Sequence, residues 1–113
     1  MALRQLDKAE WRPFFDHLSK TLDGSQAEIE VTSLALVTHV QALWLPFLGI
    51  TYDAKDDLVE VALEGLDHMI RQPRTIQIED GNGLLASVEI VDGDGVRQAV
   101  KLREPLLLAP PRA

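Results

Sequence analysis

Two turns of the same form constrain the fold of the last third of this chain more than any other sequence feature. They are Asp80-Gly81-Asn82-Gly83 and Asp92-Gly93-Asp94-Gly95. Aspartate opens a type I turn, and the final glycine suits the left-handed position of a three-residue hairpin loop. The runs around the turns alternate apolar and polar residues, as half-buried strands do. We therefore predict an antiparallel meander with strands at 74–80, 84–91 and 96–103.

Three-residue loops at both turns also predict a register. Val88 would face Ile76 on one side and Val100 on the other, while Ala86 would face Ile78 and Leu102. A two-residue second loop would instead shift that hairpin by one residue and reverse its faces. The six apolar residues that are expected to share one buried face are Ile76, Ile78, Ala86, Val88, Val100 and Leu102.

An amphipathic helix is predicted near the N-terminus, at about 7–22. Asp7 and Glu10 have the spacing of a capping box, and Leu6 lies before the cap as in a hydrophobic staple. Pro13 deletes one backbone hydrogen bond, and Asp23-Gly24 suits a helix end. The apolar stripe that must pack on another element consists of Trp11, Phe14, Phe15, Leu18 and Leu22.

The middle of the chain predicts further strands at 26–32, 36–44, 47–52 and 58–64. The break near Pro46 is expected because proline cannot donate to a strand ladder. The polar segment 53–57 predicts the turn of a hairpin.

Two segments are predicted to lie outside the strands. Gly65–Pro73 has Leu66, Met69 and Ile70 at helical spacing, which predicts a helical turn or short helix. Pro105 is expected to end the last strand and to leave 104–113 as an extended tail.

These elements predict a single α+β domain over residues 1–113. Its N-terminal helix would pack on a strongly bent antiparallel sheet of about six strands. Partial closure into a small, partly open barrel would protect the sheet edges. A chain of 113 residues has the usual length of one domain.

The charge of the chain argues against polyanionic partners. Eighteen acidic residues against 11 basic ones give a net charge of −7, and the excess lies within 25–70. This acidic block is either a docking face for a basic partner or an ordinary solvated face. Nucleic acid and anionic membranes are poor partners for such a surface.

The location that the sequence favours is the cytoplasm. The first residues contain no apolar segment of a secretory signal. The uncharged stretch 31–52 is interrupted by polar residues, Pro46 and Gly49, so it is expected to form core strands rather than a membrane span.

Few residues have the pattern of a chemical site. Cysteine is absent, which excludes thiolate metal sites and thiol nucleophiles. His17, His39 and His68 lack the i, i+4 spacing of metal ligands, and neither a serine nucleophile elbow nor a phosphate-binding loop occurs. We therefore expect no metal, no cofactor and no catalytic residue. The remaining enzyme hypothesis uses Asp67 and His68 with Arg71.

Two groups of residues are candidate contact sites. Trp44, Leu45, Phe47 and Leu48 form an apolar run that either contacts a protein partner or is covered by the helix. A basic group is the candidate for anion contact, although its members could equally pair with acidic neighbours such as Glu89. This group consists of Arg71, Arg74, Arg97, Lys101 and Arg103.

Several segments resemble a family of small bacterial proteins that is known only as a domain of unknown function. The segments are 6–11, 44–46, 49–53 and 61–68, which read LDKAEW, WLP, GITYD and VALEGLDH. The resemblance covers nearly the whole chain. It implies a bacterial source and a stand-alone domain, and it implies no activity, cofactor or site residue.

The function that these observations favour is a non-catalytic protein-binding or assembly module, with a homodimer through residues 44–48 as one form of it. The first alternative is a small-barrel nucleic-acid-binding protein, which rests on fold analogy. The second alternative is an enzyme that uses Asp67, His68 and Arg71.

Overall fold

The computed structural model describes residues 2–21, 25–32, 39–81 and 84–107. Within these ranges the chain forms one helix and eight strands. In chain order they are β1 (Ala2–Gln5), α1 (Lys8–Thr21), β2 (Gln26–Thr32), β3 (His39–Asp53), β4 (Leu58–Leu63), β5 (Leu66–Arg71), β6 (Thr75–Gly81), β7 (Leu84–Val91) and β8 (Arg97–Leu107).

All eight strands belong to one antiparallel sheet with the order β1-β6-β7-β8-β2-β3-β4-β5. The predicted class is confirmed: one helix packs on a strongly curved antiparallel sheet. The sheet is not closed into a barrel, and the described residues form eight strands where about six were expected. Because the order is linear, β1 and β5 lie at its two ends.

The start of α1 has the predicted capping geometry. The backbone N–H of Asp7 donates to the Glu10 side chain at 3.0 Å, which is one half of a capping box. Leu6 and Trp11 are both buried, and the Trp11 indole N–H donates to the Leu6 carbonyl at 3.4 Å. The buried stripe continues through Phe15 and Leu18. The predicted helix end at 22–24 lies outside the described residues.

The predicted meander is confirmed as β6, β7 and β8. In the second hairpin Val88 pairs with Val100 as expected, and Gly95 has the left-handed φ of 82° that its position requires. In the first hairpin the predicted register is wrong by two residues. Ile78 pairs with Val88 rather than with Ala86.

A β-bulge between Glu79 and Asp80 accompanies this difference, and Gly81 pairs directly with Leu84. The remaining turn residues, 82–83, lie outside the described part of the chain. A shift of two residues keeps every side chain on its predicted face, because strand side chains alternate with period two. Five of the six residues predicted to share a buried face are therefore buried despite the wrong register, and Ala86 is the exception. The five are Ile76, Ile78, Val88, Val100 and Leu102.

A second bulge changes the end of the meander. The pairing of β7 with β8 jumps from Ser87↔Lys101 to Leu85↔Leu106, so that Leu85 is fully buried and Ala86 is only half-buried.

The prediction that Pro105 ends the last strand is wrong. Pro105 lies in the bulged stretch of β8, where its missing N–H removes no ladder hydrogen bond. The rest of the predicted tail, 108–113, lies outside the described residues.

The predicted break at Pro46 is a bend within one continuous strand, β3. Up to Pro46 this strand pairs with β2, and from Phe47 onwards it pairs with β4. Trp44 has a φ of 51° at this corner, and register shifts occur on both sides of it. The expected strand start at 36–38 lies outside the described residues.

The helix covers the edge that this bend exposes. After Pro46 the side of β3 that faces away from β4 no longer pairs with β2. There the Ser19 hydroxyl accepts the Ile50 N–H at 2.9 Å and donates to the Ile50 carbonyl at 2.8 Å. Trp11 also contacts Tyr52 edge-to-face, with ring centroids 5.2 Å apart. Thus α1 both fills the core and closes a backbone edge.

The prediction of a helical turn over Gly65–Pro73 is wrong, because Leu66–Arg71 forms β5. Leu63 pairs with Leu66, which leaves a two-residue turn in which Gly65 has a φ of 82°. Met69, which was expected to point inward, is 43% exposed. The short strand β1 was not predicted.

The inward side chains of the sheet and helix form one hydrophobic cluster that includes Phe15, Phe47, Ile76 and Val100. The described helix is too short and too polar to cross a membrane.

Candidate functional site

The outer edge of β5 is the candidate site, and hydrogen bonds on either side of it define its geometry. Gln72 N–H donates to the Asp57 carbonyl at 2.9 Å, which extends the β4–β5 ladder by one pair. Hydrogen-bonded and non-hydrogen-bonded pairs alternate in an antiparallel ladder. The backbone groups of Leu66, His68 and Ile70 therefore bond to β4, and those of the intervening residues point away from it.

The outward backbone groups belong to Asp67, Met69 and Arg71. The direction of the Arg71 carbonyl agrees, because it accepts the Gly93 N–H at 3.4 Å. Within the described residues, no hydrogen bond reaches the outward N–H or C=O of Asp67 or Met69. All three side chains are exposed. The site is thus a strand edge with free donors and acceptors and one exposed apolar side chain.

The C-terminal end of β5 is held against the turn between β7 and β8. Gln72 has a φ of 52°, and its side chain packs on Gly93. A Cβ added at Gly93 would lie 2.7 Å from the Gln72 side-chain oxygen and 3.0 Å from the Gln72 Cβ, so a larger residue here would have to displace the Gln72 side chain. The edge is therefore positioned before any partner binds.

A polar network holds the inner face of β5. His68 Nε2 lies 2.5 Å from Gln98 Oε1, and Gln98 Nε2 donates to Asp92 Oδ2 at 3.0 Å. Because the Gln98 amide nitrogen donates to a carboxylate, its oxygen is the group that accepts an N–H from His68. Gln98 is only 4% exposed. The network links β5 to β8 across the interior, and it was not foreseen from the sequence.

Asp67, His68 and Arg71, which the enzyme hypothesis uses, do not come together in one site. Asp67 and His68 lie on opposite faces of β5, as neighbours on a strand must. Asp67 and Arg71 are exposed on the outer face, whereas His68 is half-buried and bonded to Gln98. Across the described ranges, no three histidine or acidic side chains come together as a metal site.

The apolar run at 44–48 does not form one surface. Phe47 is 1% exposed and belongs to the core, so its assignment as a partner contact has to be corrected. Leu45 packs against the same core. Leu48 is 54% exposed. Trp44 is half-buried, with the Arg103 guanidinium 5.9 Å from its ring centroid.

The basic residues on β8 contact neighbouring strands instead of gathering at one point. Arg97 pairs with Glu89 at 2.9 Å, and Lys101 pairs with Glu30 at 2.5 Å. The hydrogen bond to Glu30 raises the pKa of Lys101 above its usual value. Such exposed pairs stabilise a fold by about 0–1 kcal/mol.

The other three basic residues are also exposed. Arg103 donates to the Gln26 side chain at 2.7 Å, and Arg74 donates to the Gly93 carbonyl. Arg71 lies on the β5 edge. Their contact with an anion stays a prediction.

A cavity of about 370 Å³ lies between α1 and the hairpin of β3 and β4. The side chains around it carry charges of both signs, so it favours neither an anion nor a cation. Tyr52 lines it and donates from its hydroxyl to Asp57 at 2.9 Å. The lining residues are Arg12, Thr51, Tyr52, Asp53, Ala54, Lys55, Leu58 and Glu60.

Alkaline pH is expected to destabilise the protein through Tyr52. Burial, followed by the hydrogen bond to Asp57, raises the pKa of Tyr52 above 10.0. The folded state therefore favours the neutral phenol. Its contribution to stability is constant below pH 10 and falls as the pH rises through the folded-state pKa.

The measurement is urea unfolding across this pH range, with tyrosinate absorbance as a second readout because the chain contains one tyrosine. We expect Tyr52→Phe to reduce the alkaline loss of stability relative to the unmodified protein. An equal loss in both proteins would contradict the assignment.

Comparisons with known proteins show which family the chain belongs to. Residues 2–111 match the model of a Family of unknown function (DUF5335). An uncharacterised protein of the bacterium Aquifex aeolicus is 33% identical over 109 residues, which cover 96% of this chain and 98% of the relative. No solved structure matches. Since the match extends over nearly the whole chain, the protein belongs to this family of unknown function.

Proposed function

We propose that this protein is a non-catalytic protein-binding module of the cytoplasm that adds an extended polypeptide strand to the outer edge of β5. The observation that carries the proposal is the set of outward N–H and C=O groups at Asp67 and Met69 that have no partner in the described residues. A strand added to such an edge gains main-chain hydrogen bonds, and alternate side chains then supply specificity.

The shape of β5 supports this function. It has six residues and contains no proline, and no register shift interrupts its pairing with β4. Natural proteins usually protect an edge with proline, bulges, a short strand or a covering segment. The bond between Gly93 and the Arg71 carbonyl and the network at His68 hold the strand in place. A positioned edge loses little conformational freedom when it binds.

The other sheet edges are less suitable. The free side of β3 is covered by Ser19. At the opposite end of the sheet, β1 has only four residues, and its Arg4 lies near the Glu10 and Asp80 carboxylates at 4.0 and 3.9 Å. The β5 edge is therefore the one on which the proposal depends.

Amide hydrogen exchange, measured by NMR on isotope-labelled protein, tests this function. The labelled protein is added first to dilute buffer and then to an unlabelled lysate of its source cells. We expect the amides of Asp67 and Met69 to exchange rapidly in buffer at protein concentrations where the chain is monomeric, and to be protected in the lysate. A partner strand would supply acceptors for these outward N–H groups.

Two matched variants complete this test. Met69→Pro removes one outward N–H without removing a bond to β4, and we expect it to abolish the protection at Asp67. Leu3→Pro does the same on β1, because the Leu6 N–H donates to Ile76 and so places the Leu3 backbone outward. It should leave the protection on β5 unchanged. Rapid exchange of the Asp67 and Met69 amides in both buffer and lysate would refute the proposed function.

A further inference from the structure

We propose that the strand taken up by the β5 edge is β5 of a second copy of this chain, in a twofold-symmetric antiparallel dimer centred on Met69. The inference rests on the proposed function and names its partner. Twofold symmetry requires a surface that is complementary to itself. The order of charges along β5 meets this requirement.

The side chains on the outer face are complementary in this register. Met69 would face Met69 of the partner subunit. Asp67 would face Arg71 of the partner subunit, and Arg71 would face Asp67 of the partner subunit. Opposite charges that lie directly across two antiparallel strands attract each other, whereas like charges in this position repel. Both charged side chains are exposed in one copy, so each is available to pair.

The backbone is compatible with this register. The groups of Asp67, Met69 and Arg71 all face outward, so centring on Met69 brings outward groups opposite outward groups on both strands. Centring on His68 or Ile70 would also bring outward groups opposite each other, so the side chains have to decide between these registers. The Arg71 carbonyl already accepts the Gly93 N–H, and a carbonyl oxygen has a second lone pair for the partner.

Charge favours Met69 over the alternative centres. Centring on His68 or Ile70 would place Asp67 or Arg71 opposite Met69 of the partner subunit, without an opposite charge. Centring the pair on Asp67 would place two carboxylates opposite each other, and centring it on Arg71 would do the same with two guanidinium groups. On β1, a register centred on Leu3 would leave Arg4 opposite Ala2, without an acidic partner. Met69 is thus the centre in which the charges of the outer face complement each other.

The net charge of −7 on each copy opposes this association. We therefore expect a reversible dimer whose population depends on concentration. The local Asp67–Arg71 pairs must outweigh the long-range repulsion, which salt screens beyond about 10 Å at 0.1 M.

Charge reversal on β5 is the experiment that tests the dimer. Sedimentation equilibrium gives the dimer Kd of the purified chain, and thermal unfolding checks that each variant is folded. Asp67→Arg would place two arginines opposite each other at both ends of the interface, and Arg71→Asp would place two aspartates there. We expect each single variant to raise Kd by about tenfold or more.

The double variant Asp67→Arg, Arg71→Asp restores opposite charges in the same register. We expect its Kd to return to within about threefold of the original value, since only the order of the charges has changed. Asp16→Arg and Lys20→Asp change the net charge by the same amounts at exposed positions on α1, far from β5 in sequence. We expect these two control variants to retain the original Kd within the same margin.

The outcomes separate this inference from the proposed function. A dimer whose Kd is insensitive to both single reversals would overturn the inference, and so would a monomer at every concentration. If the monomer still shows lysate-dependent protection at Asp67 and Met69, the strand is supplied by another protein and the proposed function stands. A monomer whose Asp67 and Met69 amides are already protected in dilute buffer would show that its own chain covers the edge, which overturns both.

Discussion

Phe47→Ala is expected to lower the free energy of unfolding by about 3–5 kcal/mol, the usual cost of removing a buried aromatic side chain. Phe47 is 1% exposed and lies directly after Pro46, where β3 changes its pairing partner from β2 to β4. Truncation would leave a cavity at this corner, where the bent backbone has little freedom to collapse around it. Urea unfolding followed by far-UV circular dichroism gives the value.

Leu48→Ala is the matched control, because Leu48 is the next residue and is 54% exposed. We expect it to change the free energy of unfolding by less than about 0.5 kcal/mol. Similar losses in the two variants would mean that the strand does not present alternate faces here. The difference between the two variants also tests whether Phe47 is a core residue and not a partner contact.

Ser19→Ala is expected to cost about 1–3 kcal/mol, because it would leave the Ile50 N–H and carbonyl without their partner at a buried position. Both bonds to the Ser19 hydroxyl are shorter than 3.0 Å, and Ile50 is 1% exposed. The measurement is equilibrium unfolding, and amide exchange at Ile50 should accelerate in parallel.

Thr21→Ala provides the matched control on the same helix. The Thr21 hydroxyl donates at 2.8 Å to the carbonyl of His17, within an exposed turn of α1. Water can replace that bond, so we expect a change below about 0.5 kcal/mol. If both alanine variants have the same stability, the covering of the β3 edge by Ser19 contributes nothing measurable.

Two free edges of the sheet differ in whether other residues of the chain cover their backbone groups. The bend at Pro46 creates a free edge on β3, and α1 covers it with a side chain that both donates and accepts. On the edge of β5, the Arg71 carbonyl accepts the Gly93 N–H, whereas the outward groups of Asp67 and Met69 receive no such cover from the described residues. Unpaired backbone groups on a sheet edge are a template for pairing with another strand, which is why β5 carries the proposed function.

The sequence pattern of β5 is compatible with a strand, although it does not indicate that this strand lies at a free edge of the sheet. Leu66, His68 and Ile70 alternate with three exposed residues, and Gly65 precedes them as a turn residue. Helical and strand patterns are ambiguous in a run this short, since Leu66, Met69 and Ile70 also fit a helical period. Only the pairing of Leu63 with Leu66 decided between the two.

The hydrogen-bonded network of His68, Gln98 and Asp92 could not be predicted from the sequence. His68, Gln98 and Asp92 are separated by up to 30 positions and meet because the curved sheet brings the inner faces of β5 and β8 together. No spacing rule links a histidine on one strand to an amide on a strand that is not its neighbour. The same holds for the approach of Arg103 to the ring of Trp44.

The sequence by itself determined the features that depend on neighbouring residues. These are the capped start of α1, the buried faces of β2, β4 and the meander, and the left-handed position of Gly95, because periodicity and turn chemistry act over a few residues. Only the tertiary structure decided the bulges, the continuity of β3 through Pro46, the strand order and the open edge of β5. Those features depend on which distant strands meet, and pairing energies across the whole sheet outweigh the local preferences of any one segment.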